Sequence, residues 1–226
     1  MDRRKFLSTA ALAPIAGYFS QSCGNSIMRS KYKFAIATYS YWHFREPKVT
    51  VQEVIDHVAN LGAHGVDVLH VQMDNETPEY LKSLRQRAEN NGVELICLSI
   101  HQDFVDPDEA VRDRNIEHTL RCIDIAYELG ISYIRLNSGR WNTIKSFDEL
   151  MAKRGIEPVL PGFTEDDGFN WCIDSIMECL PAAEKASVVL ALENHWGLTR
   201  TPEGLLRIVN AIDSPWLGVL MDTGNF

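Results

Sequence analysis

Val188-Val189-Leu190-Ala191-Leu192-Glu193-Asn194-His195 and Leu217-Gly218-Val219-Leu220-Met221-Asp222-Thr223-Gly224-Asn225 are two apolar runs, each closing on a carboxylate and a polar turn. Between them Pro202 to Ile212 reads as a helix, with Thr201 placed to cap it and proline at the first helical position. Strand, helix, strand is the repeating unit of a parallel sheet with right-handed crossovers. A closed parallel barrel keeps its chemistry at the carboxyl ends of its strands. Glu193 and Asp222, delivered by successive strands, are therefore expected to converge at one end of the sheet.

The same alternation extends back along the chain. Strands are expected at Lys33 to Thr38, Gly65 to Leu69, Val93 to Ile100 and Ser132 to Leu136. Helices are expected at Val49 to Leu61, Thr77 to Asn90, Asp106 to Leu129 and Phe169 to Ala186. Thr50 and Glu53 form a capping box, and Gly130 ends the long third helix. Six strands alternating with helices fit an open doubly wound sheet or a barrel. Thr38-Tyr39-Ser40-Tyr41-Trp42-His43 stands where a glycine-rich dinucleotide fingerprint would follow strand one, which disfavours the former.

Strand phase sharpens the picture. Ile96, Leu98, Ile100, Ile134, Leu136, Leu190, Leu192, Val219 and Met221 are expected to face helices. Cys97, Ser99, His101, Arg135, Asn137, Ala191, Glu193, Gly218, Leu220 and Asp222 then share the interior. The connection from Ser138 to Asn170 is far longer than the usual two to six or so residues. It holds Trp141 and a small helix near Ser146 to Lys153, and reads either as a lid over the strand ends or as a surface insertion.

The first thirty residues are set apart as a signal and linker. Met1-Asp2-Arg3-Arg4-Lys5-Phe6-Leu7 and the short apolar run after it resemble a twin-arginine export signal, too short to span a bilayer. Periplasmic or cell-envelope location is the expectation, with membrane contact only through a lipidated Cys23. The chain carries 22 Lys and Arg against 31 Asp and Glu. Four of those cations lie in the first thirty residues, so the remainder is more acidic still. Such a surface repels phosphate backbones, and no nucleic-acid partner is expected. Cys97, Cys122, Cys172 and Cys179 form no C-x-x-C pair and are expected as buried free thiols.

Glu193 and Asp222 are hard oxygen donors suited to Mg²⁺ or Mn²⁺, and an added histidine opens Co²⁺ or Zn²⁺. The structural alternative is an ion pair between Glu193 and Arg135. His101 at the end of strand three, Arg135, Asn137, His195 and Trp42 are candidates for binding substrate. The direction of His195 is left open by its turn. His70 is assigned to the helix side, and His57, His64 and His118 are read as solvated. Aromatic rings around the strand ends suit the C–H faces of a sugar.

Leu192-Glu193-Asn194-His195, Met221-Asp222-Thr223-Gly224-Asn225, the Gly65 to His70 strand and Ser99-Ile100-His101 resemble segments of the xylose isomerase-like TIM-barrel superfamily, over Lys33 to Phe226. The resemblance implies an α/β fold, a (β/α)8 TIM barrel truncated after strand six, with residues 31–226 as a partial barrel lacking strands seven and eight. It implies a divalent metal held by Glu, Asp, His and Glu, of which Glu193 and Asp222 match the first two. It implies an isomerase or epimerase of a small sugar or keto-sugar, moving a proton next to a carbonyl through an enediolate, with Glu193 as ligand and acid/base. Without the last two ligands this chain is expected to be a fragment, inactive alone, and a homo-oligomer is left open. Alternatives are a dehydratase or lyase of a keto-sugar or cyclitol, a non-catalytic sugar-binding barrel, and an endonuclease IV-like repair enzyme. The last needs a histidine where Asn225 stands.

Overall fold

In the computed structural model, residues 32–42 and 47–225 are described. The twin-arginine segment, Cys23, His43 and Phe44 lie outside the described residues. Six strands form one parallel sheet in sequential order: β1 (Ala35–Ala37), β2 (Gly65–Leu69), β3 (Glu94–Ser99), β4 (Tyr133–Leu136), β5 (Val189–Glu193) and β6 (Leu217–Leu220). The crossovers carry α1 (Val51–Leu61), α2 (Pro78–Asn90), α3 (Glu109–Leu129), α5 (Glu165–Ala186) and α6 (Pro202–Ile212), with a short α4 (Phe147–Ala152) in the long connection. Among the described residues no helix is long and apolar enough to cross a membrane.

Local chemistry explains the boundaries. Thr50 and Glu53 close the capping box read from the sequence, and Thr201 caps α6 through Gly204 N–H. α5 begins earlier than expected because Thr164 and Asp167 form a second capping box, with aspartate in the place usually held by Glu or Gln. α3 begins three residues later than expected, since Asp108 rather than Asp106 accepts from the first turn. Gly62 and Gly130 end α1 and α3 in the left-handed conformation.

Val66, Val68, Leu98, Ile100, Ile134, Leu136, Leu190 and Leu192 are buried in the layer between sheet and helices, as phase requires. Three positions depart from the expectation. A register shift between Val66 and Asp67 pairs Leu95 with Val66 and Cys97 with Asp67, so Ile96 falls in the bulge and is left partly exposed. Val219 on β6 and Met221 just after it are exposed. Cys97, Cys122, Cys172 and Cys179 are free and buried.

Candidate active site at the carboxyl ends of the strands

β4 and β5 pair with Arg135 opposite Ala191, and β5 and β6 pair with Glu193 opposite Leu220. Side chains two apart along a strand share a face. Arg135, Asn137, Glu193 and Asp222 therefore gather on one side at the strand ends. Arg135 Nη1 donates to Glu193 Oε2 at 2.9 Å and to Asn137 Oδ1 at 3.0 Å. Its Nη2 lies 3.5 Å from His101 Nε2. The ion pair weighed as the structural alternative is thus present, and it is nearly dry, with the two side chains 12% and 8% exposed. Asp67 sits deeper on the same face and accepts from Ser99 Oγ at 2.8 Å.

Burial pushes the Glu193 carboxyl above its usual range, Arg135 pulls it back, and the charges of Asp222 and Asp67 push it up again. Asp67 is likewise raised by burial, against the opposing pull of Ser99 and Arg135. Two carboxylates thus share one guanidinium, with the charge of Asp222 beside Glu193. That excess of negative charge, on oxygen donors in a buried place, fits a hard divalent cation. Among the described residues Glu193 Oε1 makes no hydrogen bond, so one oxygen stays available.

Asp222 is held by its neighbours. Asn194 Oδ1 accepts the Asp222 N–H at 2.6 Å, and Asn194 Nδ2 donates to the Asp222 carbonyl at 2.8 Å. Gly224 N–H donates to Oδ1 at 2.7 Å and Asn225 Nδ2 to Oδ2 at 2.9 Å. Asn225 is therefore a clamp on the turn.

His195, whose direction the sequence left open, lines a cavity of about 310 Å³ with His101, Gln102, Asp103, Asn137 and Trp196. Burial and then the Arg135 charge hold the His195 imidazole down to about 4, with Asp222 opposing. Burial, Arg135 and His70 lower His101 in the same order. Both rings are neutral near pH 7. Trp42 is not among the residues lining this cavity; its ring packs edge-on against Tyr39 at 5.5 Å.

The long connection walls the cavity. Asp103 accepts from Arg140 N–H at 3.2 Å and from Asn142 Nδ2 at 2.6 Å, and Arg140 pairs with the buried Glu157. Trp141 packs against Trp171 at 6.1 Å. Sequence reasoning missed Gln102 and Asp103, although they directly follow His101. Among the described residues Gln102 Oε1 is buried with no partner, while its Nε2 donates to the Asn137 carbonyl. An orphaned acceptor on a cavity wall is a place for a ligand hydroxyl.

Three further histidines, read from the sequence as solvated, have partners. His118 is not simply solvated: its ring meets His70 at 5.1 Å, edge to face. His64 also has a partner, accepting from Phe34 N–H at 3.1 Å, and His57 packs on Tyr41.

A D-psicose 3-epimerase solved in the presence of D-fructose is similar to this chain at 21% identity and a TM-score of 0.68, over 85% of this chain and 64% of that one. The IOLI protein, solved with a zinc atom, matches at 16% identity and 0.67, over 86% and 64%. The probable 3-DHS dehydratase AsbF of Bacillus anthracis matches at 16% and 0.58, over 84% and 63%. The chain thus spans less than two thirds of the length of each. These likenesses establish a shared fold. Residues 55–226 match the profile of the xylose isomerase-like TIM barrel, and the chain belongs to that family.

Proposed function

We propose that the protein is a divalent-metal-dependent isomerase or epimerase of a small sugar or keto-sugar. The observation that carries this reading is Glu193: a buried carboxylate raised by burial, held by Arg135, beside the charge of Asp222, at the strand ends of a parallel sheet. Glu193 and Asp222 would hold Mn²⁺, Mg²⁺ or Co²⁺, with Zn²⁺ a further fit to the donors. When bound, the cation polarises a substrate carbonyl and stabilises negative charge beside it.

The chain's own groups supply the rest. Glu193 accepts the proton from the carbon next to the carbonyl, and its raised proton affinity makes it a better base than an exposed glutamate. Arg135 keeps the carboxylate oriented through Oε2 and ionised near neutral pH. Neutral His101 and His195, with Asn137 and the orphaned Gln102 oxygen, offer hydrogen bonds to hydroxyls in the cavity. Glu193 can return the proton to the neighbouring carbon of the enediolate on the same face, which gives an isomer; an epimer needs a proton donor on the opposite face, a role not assigned among the described residues. The twin-arginine reading favours a free or oxidised sugar or a cyclitol over a sugar phosphate.

The test is turnover on a panel of ketoses and keto-sugars in D₂O with Mn²⁺, Mg²⁺ or Co²⁺, read by NMR. Deuterium should enter the carbon next to the carbonyl, and Glu193→Gln should cut kcat by roughly 10²–10⁴-fold. Turnover without deuterium exchange, or a Glu193→Gln variant of full activity, would remove the proposal. Loss of water from the product would assign a dehydratase instead.

A further inference from the structure

His70 stands at the carboxyl end of β2, while His118 and Cys122 lie one turn apart on α3. One ligand atom from each of the three lies within 4.8 Å of the others. Cys122 Sγ is 3.7 Å from His118 Nε2. Donors around one tetrahedral zinc stand about 3.3–3.7 Å apart, given the usual Zn–N and Zn–S lengths. That pair is therefore already spaced for an ion, and His70 brings a third donor atom within 4.8 Å of both.

A second observation points to a ligand. The His70 side chain is only 10% exposed, and its Nδ1 is buried with no hydrogen-bond partner among the described residues. A buried ring nitrogen without a partner is costly unless something fills the gap. Its other nitrogen, Nε2, meets Glu76 Oε1 at 2.9 Å. A carboxylate on the far nitrogen is the arrangement that orients a metal-ligating histidine and raises its basicity. Glu76 is itself held by Arg121 Nε at 3.0 Å. The Arg121 Nη2 that lies 3.2 Å from His118 Nδ1 would give up that contact when His118 turns to an ion, while the tie to Glu76 persists.

We propose that His70, His118 and Cys122 form a second metal site, separate from Glu193 and Asp222, that takes zinc through two neutral imidazoles and one thiolate. Coordination breaks the Cys122 S–H bond and sends its proton to solvent, so the site gains one unit of positive charge per ion. Two imidazoles and a soft sulfur select Zn²⁺ over Mg²⁺ or Mn²⁺. Three protein ligands leave the fourth position of a tetrahedral ion to water.

Cobalt titration of the reduced protein tests this separately from catalysis, because carboxylates alone give no thiolate band. One equivalent of Co²⁺ should produce a thiolate-to-cobalt charge-transfer band that Zn²⁺ then erases. The band should vanish in Cys122→Ser, and affinity should fall at least tenfold in His118→Gln. Glu76→Gln should weaken binding by roughly 10–100-fold while keeping the band. The double variant Glu193→Gln with Asp222→Asn should retain it. Far-ultraviolet circular dichroism checks each fold. If Cys122→Ser does not fold, His118→Gln and Glu76→Gln decide. No band in the reduced wild type, or a band unchanged in Cys122→Ser, would overturn the site.

Discussion

Arg135 is the cation that Glu193 and Asp67 share at the strand ends. It lowers the proton affinity that burial raises in Glu193. A base must be ionised to act, so activity should rise with pH through the raised value, above the ordinary 4.5. Arg135→Met removes the opposing positive charge. The acid limb of kcat/KM should then move to higher pH, and loss of a buried partner should cost about 3–5 kcal/mol of stability. A pH–rate profile and a urea melt read both. His195 carries the opposite linkage. Between about pH 6.5 and pH 4 the unfolded chain takes up a proton that the folded ring refuses. Stability should therefore fall as pH drops through that window, and thermal melts of His195→Gln should show a shallower fall. Glu193, Asp222, Arg135 and Asn137 were legible because strand parity sends alternate side chains to one face. His118 was not. Helix periodicity places it one turn from Cys122, but only the tertiary crossover brings β2 and His70 against it.

Elements were read best where their ends carry standard chemistry. The Thr50–Glu53 box and Thr201 before Pro202 placed α1 and α6 almost to the residue. The α5 start was missed because aspartate at the third position is a weaker sign than glutamate. Gly168, in the first turns of α5, also made that segment look less helical than it is. A Cβ there would stand 2.7 Å from Trp141 Cζ2, and that indole is buried and packed on Trp171. Gly168→Ala improves helix propensity by about 1 kcal/mol. Overpacking against a locked ring costs about 1–3 kcal/mol. The net expectation is a lower urea midpoint, with the long connection loosened where Trp141 pins it. The sequence left that connection as either lid or insertion. Its ties to Asp103 and its place on the cavity wall favour a fixed wall.

At the scale of the molecule, strand–helix alternation was enough to foresee six parallel strands in sequential order. The bulge between Val66 and Asp67 was not foreseeable, because it arises from the pairing of two strands and leaves no trace in either alone. Asn194 is 1% exposed, and its amide exchanges two hydrogen bonds with the Asp222 backbone much as a peptide group would. A side chain thereby adds one more rung beyond the last strand residue. Natural selection can tune the reach of that aspartate through a neighbour that is sealed away from any ligand.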